Sequence, residues 1–308
     1  MTAMFHTEAF LTPEARAIAA ALPLPDRQEM IKNLLYKYPV FKKGVKFIQD
    51  FHLPAGGEAH DKGSIGALLG ESHAGKSVIC RYYASLFPNA VGDSGEVYPV
   101  VYFEATEQTT PSYLAECLYY LTGARSIPNI KAAALMDNSI LRLAAAKTQL
   151  VIIDEAQFLL TDRPMPQIKA FRGFIKKMVD ARLFNVLLVG EETLHGTVHS
   201  MKALANRGFY TDNVEPIGDG GTEFEMFRLL IDKIDDRLPF ASKSGLEAWA
   251  KDFHHFSGGK IGRVMGLLAR AGQLSMGQGS GCIMVEQLRE TVNRMRGPGD
   301  RYPYFEKG

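Results

Sequence analysis

Cysteine is scarce: Cys80, Cys117 and Cys282 are the only three in 308 residues, with no CxxC pair and no Cys/His metal spacing. That excludes a disulfide-stapled scaffold and a zinc module, and fits buried thiols in a reducing compartment. An excess of one charge is also missing, since Lys plus Arg count 35 against 34 acidic residues. Net charge therefore does not advertise a nucleic-acid binder, although a local basic stripe would suffice for one. Long apolar runs are absent as well. LVII at 150–153 and VLLV at 186–189 are strand-sized, far short of the ~20 residues that cross a bilayer. The start, MTAMFHTEAF, has neither the basic residues nor the apolar stretch of a signal peptide. The expectation is a cytoplasmic protein with no membrane partner.

What is present is ordinary globular composition, with 46% apolar and 22% charged residues, enough to bury a substantial core. No internal repeat appears. Residues 1–62 read as an N-terminal helical extension and linker, with a helix over 11–22, a break at PLPDRQ (23–28), and helical periodicity over 29–52 interrupted at Pro39. Residues 63–221 alternate short apolar strands (65–70, 98–105, 149–156, 185–190 and a weaker 213–217) with helices near 76–87, 111–122, 131–147 and 165–182. Such alternation predicts an α/β core with a parallel sheet covered on both faces. Residues 222–297 hold four helical segments and no strand, a small all-helical domain. Residues 298–308 read as a flexible tail.

Gly70-Glu71-Ser72-His73-Ala74-Gly75-Lys76-Ser77 satisfies GxxxxGK[ST], and it lies between an apolar strand and the helix SVICRYYASLF. The glycines let backbone N–H groups, continuing to Val78, turn towards phosphate oxygens. Lys76 adds a point charge on the β- and γ-phosphates, and the Ser77 hydroxyl is placed to ligate Mg²⁺. His73 reads as a spacer. The strand LVIID ends in Asp154 and Glu155: the first can orient Mg²⁺, the second can act as general base on a water. ATP and Mg²⁺ are thus the expected cofactors. A full strand separates the phosphate loop from the acidic strand, which argues against a compact nucleotide kinase.

With these residues in place the chain resembles the AAA+ ATPases, and among them the TniB/TnsC transposition regulators. The resemblance covers about residues 30–275. It implies an AAA+ P-loop ATPase core followed by a helical lid. Beside GESHAGKS and LVIIDEAQ, the segment NVLLVGEET stands where that family puts a polar γ-phosphate sensor. Gly190, Glu191, Glu192 and Thr193 occupy the place here, with Glu191 or Thr193 the candidates. Lys202–Phe209 is similar to a segment whose arginine crosses a subunit interface, so Arg207 is the implied finger for a neighbour's ATP. Ser257–Arg263 is similar to the lid segment whose arginine, here Arg263, touches nucleotide in its own subunit. PLPDRQEMIKNLLYKYPVFKKGVKFI and VVYFEATEQTTPSYLAECLYYLTGA resemble stretches of the TniB/TnsC proteins. The implied function is an ATPase, slow or switch-like, that assembles as a ring or filament on double-stranded DNA. It would recruit a transposase and a target-selection protein. The alternative is an AAA+ adaptor acting on protein partners without DNA.

The implied DNA contacts are to phosphates and sequence-tolerant. Candidates are Thr109 and Thr110 after the second strand, Arg125, and Lys169, Arg172 and Lys176 at i, i+3, i+7 spacing on one helix. The same helix also reads as an ordinary solvated face opposite a Phe171/Ile175/Met178 core stripe. Arg289, Arg294, Arg296 and Arg301 form a further basic patch. The aromatics Tyr302, Tyr304 and Phe305 are candidates for docking on a partner. His195 and His199 have no third ligand nearby and read as ordinary residues.

Overall fold

Prolines open the first three helices: α1 (Pro13–Ala20), α2 (Leu24–Lys32) and α3 (Pro39–His52). At a helix start the missing N–H costs nothing and the fixed φ is already helical. PLPDRQ was expected to break a helix; α1 does end just before it, and Pro23 and Pro25 begin α2. The computed structural model describes residues 5–53, 63–92, 95–200 and 209–306.

After β1 (Ile65–Leu69) come α4 (Lys76–Ser85) and a two-stranded antiparallel ribbon of β2 (Ala90–Gly92) and β3 (Gly95–Val97), which the sequence did not suggest. The chain continues through β4 (Val100–Glu104), α5 (Pro111–Leu121), α6 (Ala132–Ala145) and β5 (Leu150–Asp154). A short α7 (Gln157–Leu160), α8 (Met165–Asp180), β6 (Asn185–Gly190), α9 (Thr193–Ser200) and β7 (Phe209–Asn213) follow. The last elements are α10 (Gly221–Asp235), a 3₁₀ turn (Leu246–Trp249), α11 (Ala250–Ser257), α12 (Ile261–Gly277) and α13 (Val285–Met295).

The sheet has the order β4-β5-β6-β1-β7, and every pairing is parallel. Every residue of β1, β5 and β6 is buried, as apolar runs covered by helices on both faces must be. The fifth strand is not at 213–217: Phe209–Asn213 pairs with Ile65–Leu69 instead. Phe209, Tyr210 and Thr211 favour extended backbone, whereas Pro216 has no N–H for a ladder.

Contacts divide the chain into two compact units, Pro39–Glu215 and a second made of the segments up to Tyr38 and from Pro216 onward. Within the first, α3 packs on α4, with Gly44 close against Ile79. Phe171, Ile175 and Met178 of α8 lie in the core, the expected apolar stripe.

Within the helical unit, α2 packs on α12, where Gly272 admits the Ile31 side chain. Arg16 donates to the Asp235 carbonyl at 3.3 Å and Phe10 N–H to the Asp236 carbonyl at 2.7 Å. The tail segment is held down. Tyr304 and Phe305 are buried, Arg289 donates to the Phe305 carbonyl at 2.7 Å, and Phe305 N–H donates to Asp252 at 2.7 Å. These aromatics, read as candidates for docking on a partner, are spent on their own helices, where Phe305 packs edge-on against Trp249 and Phe253.

Candidate functional site

The sheet order sets the site. Because β6 lies between β1 and β5, the loop leaving β1 and the carboxylates ending β5 flank the tip of β6. This is the carboxyl edge of a parallel sheet at a point where strand order reverses, a usual ligand position.

At the loop, Gly70 has φ +146°, and a Cβ there would lie 2.5 Å from the Val214 carbonyl oxygen. Gly75 caps α4 with φ +106°, again a conformation that favours glycine. Lys76 is the first residue of α4, and its Nζ donates to the Gly70 and Glu71 carbonyls at 2.8 and 2.7 Å. Burial lowers the Lys76 pKa, while the charges of Glu155, Asp154 and Glu191 oppose that shift. Glu71, Ser72, His73 and Val78 are exposed, Ala74 is buried and Ser77 is half-buried. His73 also adopts a positive φ, +65°, and its side chain lies in solvent. Helix N-terminal N–H groups and partial positive charge here suit an anion.

Opposite stands Asp154, fully buried at the end of β5. Its Oδ2 accepts from the Tyr102 hydroxyl at 2.6 Å and its Oδ1 from the Glu155 N–H at 2.9 Å. Glu155 leaves the strand at φ +53°, and its carboxylate accepts from Gln157 Nε2. Burial and the Asp154 charge together raise the Tyr102 pKa, so the phenol stays protonated as donor. A cleft of about 700 Å³ is lined by Ser72, Glu104, Thr106, Glu107, Glu155, Gln157 and Glu191. The Ser77 hydroxyl and Asp154 carboxylate are hard oxygen donors of the kind Mg²⁺ takes. Among the described residues no group of three His, Cys, Asp or Glu side chains could hold a metal by itself.

The sequence missed Tyr102, Gln157 and Arg163. Arg163 donates to the Thr106 carbonyl at 2.9 Å and to the Phe158 and Glu107 carbonyls, tying the 105–109 loop to α7. At the tip of β6 stands Gly190. Glu191 faces the cleft, and Thr193 begins α9.

The remaining candidates are scattered. Thr109 is fully buried and its Oγ1 accepts from the Thr106 N–H at 2.9 Å, so a direct DNA contact by Thr109 is corrected to a turn-forming role. Thr110 caps α5, accepting from Tyr113 N–H at 3.1 Å. Arg125, Lys169 and Lys176 are exposed and Arg172 is half-buried, whereas the neighbouring Lys177 pairs with Asp137 at 2.7 Å. Arg289 is engaged by the tail, and Arg294 pairs with Glu290. Arg207 lies outside the described residues. Arg263 stands in the first turn of α12 in the helical unit, its guanidinium 4.8 Å from the Phe256 ring centre. No helix among the described residues is long and apolar enough to cross a membrane.

Residues 59–198 match a family model described as AAA domain. Against the curated proteins the sequence has no match. Among solved structures, the chain is similar to the ORC1 protein of Aeropyrum pernix in complex with DNA, at 15% identity and TM-score 0.61, covering 91% of this chain and 69% of that one. It is similar to the ORC2 protein of Aeropyrum pernix in ADPNP and ADP complexes, at 13% identity and TM-score 0.59, covering 82% and 66%. It is also similar to Cdc6p from Pyrobaculum aerophilum, at 13% identity and TM-score 0.60, covering 84% and 68%. The chain spans about two thirds of the length of each. Its fold is that of an AAA+ P-loop ATPase core, a five-stranded parallel sheet with helices, followed by a helical C-terminal part.

Proposed function

On the premise of an AAA domain at residues 59–198, we propose that this protein binds and hydrolyses Mg·ATP, and that ATP drives its assembly on duplex DNA. The observation that carries this reading is the opposition, within one unit, of the Gly70–Ser77 turn and the Asp154–Glu155 pair across the tip of β6. In this reading Lys76 exchanges the Gly70 and Glu71 carbonyls for phosphate oxygens, and the loop N–H groups hold the phosphate chain. Ser77 and Asp154 would hold magnesium, which would supply positive charge against the phosphate chain. Glu155 takes the proton of the water that attacks the γ-phosphorus, while the β–γ bridging bond breaks to give ADP and phosphate. Arg207 reaches a neighbouring subunit's ATP, and Arg263 senses nucleotide within its own.

The DNA part is supported by the likeness to the Aeropyrum pernix ORC1 protein solved in complex with DNA, and by exposed Lys169 and Lys176 on α8. The finer reading, a TniB/TnsC-type regulator that marks target DNA for a transposase, rests on the resembling stretches at 23–48 and 100–124. An adaptor acting on protein partners is the second reading. The burial of Thr109 favours it, because one expected DNA contact is removed. Electron microscopy with linear duplex and ATP, a slowly hydrolysed analogue or ADP separates the two. ATP-dependent rings or filaments on DNA, lost in Lys76→Ala, support the first. Oligomers indifferent to DNA at every salt concentration support the second, and no magnesium-dependent nucleotide affinity at all sinks both.

A further inference from the structure

Gln157 is the first residue of α7 and is almost wholly buried. Its carboxamide has two ends in different surroundings. Nε2 donates to the Glu155 carboxylate, whereas Oε1 is buried and has no hydrogen-bond partner among the described residues. Burying a carbonyl oxygen without a donor is unfavourable, and a Leu or Met at 157 would avoid that cost. The amide is therefore kept for what its donor end does.

Space for it comes from the neighbouring strand. A Cβ built on Gly190, the last residue of β6, would lie 2.3 Å from Gln157 Oε1 and 2.7 Å from Leu194 Cδ1. Gly190 has no positive φ, so its backbone does not demand glycine; a Cβ there would instead meet the ends of the Gln157 and Leu194 side chains and push them aside. Glu155, meanwhile, turns out of β5 at φ +53°, which puts its carboxylate and Gln157 on the lining of the cleft that Ser72 of the phosphate loop also lines. A glutamate on a mobile stem at a strand end samples several rotamers, and each is a different distance from the water it must deprotonate.

We propose that Gln157, seated over Gly190, is a positioning residue that holds the Glu155 carboxylate in the orientation needed to activate water. Gly190, Gln157 and Glu155 form one chain of contacts, and the first two act only through the third. The inference rests on the ATPase reading above and deepens it.

The test uses the full chain with duplex DNA present. It measures kcat and KM for Mg·ATP hydrolysis and, separately, the Kd of a fluorescent ATP analogue. Gln157→Ala and the volume-conserving Gln157→Met are each expected to lower kcat about 10- to 100-fold, the cost of a misplaced catalytic group. Nucleotide Kd should stay within about twofold, which also shows that the variants fold. Gly190→Ala should reproduce the loss. In the Gln157→Ala background it should add little, because the side chain it displaces is already gone. Unchanged or raised kcat in both Gln157 variants overturns the inference and leaves the ATPase reading intact. Losses from Gly190→Ala and Gln157→Ala that multiply independently also overturn it. A wild type that binds Mg·ATP but never turns it over sinks this inference while nucleotide binding stands, and one that binds no nucleotide sinks both.

Discussion

Tyr102 in β4 reaches across to Asp154 in β5 and donates its hydroxyl to Oδ2 at 2.6 Å. The register explains the reach. Tyr102 pairs with Ile152 and Glu104 with Asp154, so Tyr102 and Asp154 share a sheet face as diagonal neighbours. Asp154 is fully buried, and a buried carboxylate needs every donor it has.

Tyr102→Phe keeps the ring and removes the donor. A hydrogen bond to a charged group contributes about 1.5–3 kcal/mol, so urea unfolding of the nucleotide-free protein should show a loss of about 2 kcal/mol with unchanged m-value. The same variant should weaken discrimination between magnesium-bound and free ATP, because the carboxylate loses a fixed orientation. Wild-type stability in Tyr102→Phe would mean that solvent replaces the phenol.

Lys76→Ala and Glu155→Gln should separate binding from chemistry. Lys76→Ala removes the charge opposite the phosphates and should raise the Kd for Mg·ATP about 100-fold or more, close to 3 kcal/mol at a buried charged contact. Glu155→Gln retains shape and polarity and removes only the base. Affinity should hold while turnover falls about 10²- to 10⁴-fold, as measured by phosphate release. Loss of nucleotide affinity in Glu155→Gln would remove the general-base assignment.

The phosphate loop and the acidic pair were legible in the sequence because each is a local signal: an unbroken apolar run, then special residues at its end. β1 and β5 fall where those runs predict. Tyr102 was not legible, since its partner depends on the register of two strands that lie far apart in the chain. Gln157 reads as a helix residue after LVIIDEA until Gly190 of another strand is seen to make room for it. β7 was displaced because an edge strand with exposed Tyr210 and Thr211 shows little apolar pattern, while the Val214–Ile217 stretch carries buried apolar residues without being a strand. The joining of α1 and α2 to the C-terminal helices, through contacts such as Arg16 to Asp235, leaves no local trace at all.

His52 gives a pH signature. It is fully buried beside Tyr83 and Phe87, and burial lowers its pKa from the ordinary 6.5 to about 4, a Gln149 contact opposing the shift. Between those values the unfolded chain binds a proton that the folded one refuses, so stability falls as pH drops from 6.5 towards 4. The stabilisation is fully present above 6.5. The difference corresponds to about 3 kcal/mol. Measured against His52→Gln, the wild type should therefore lose about 3 kcal/mol more between pH 7 and pH 4. Parallel pH profiles would show that His52 is protonated in the folded state.

Two adjacent glycines in the helical unit should respond differently to alanine. Gly259 has φ +73° and a Cβ there would lie 1.9 Å from the Ile217 carbonyl oxygen, against backbone that cannot yield. Gly258 has φ +60° with nothing within 4 Å. Gly258→Ala should cost about 1 kcal/mol, the left-handed penalty alone. Gly259→Ala should cost about 3 kcal/mol or more, because a steric clash is added. Thermal unfolding of the two variants gives the ranking directly, and equal costs would refute the close approach of Ile217.

If α8 lies along duplex DNA, its charges should appear in the salt dependence of binding. Lys169 and Lys176 are exposed on one face, and among the described residues neither has a carboxylate partner. Lys177 is different, since Asp137 at 2.7 Å already matches its charge. Each phosphate neutralised contributes about 0.9 to the slope of log K against log salt. Joint Lys169→Ala and Lys176→Ala should therefore flatten the slope by about 2 per subunit in the ATP-bound state, whereas Lys177→Ala should change it by about 0.5 or less. Sequence preference should not move, because phosphate contacts position without reading bases. Fluorescence anisotropy on a labelled duplex from low to high salt measures both. A slope that ignores all three substitutions would detach α8 from DNA and return it to an ordinary solvated face over the Phe171, Ile175 and Met178 core.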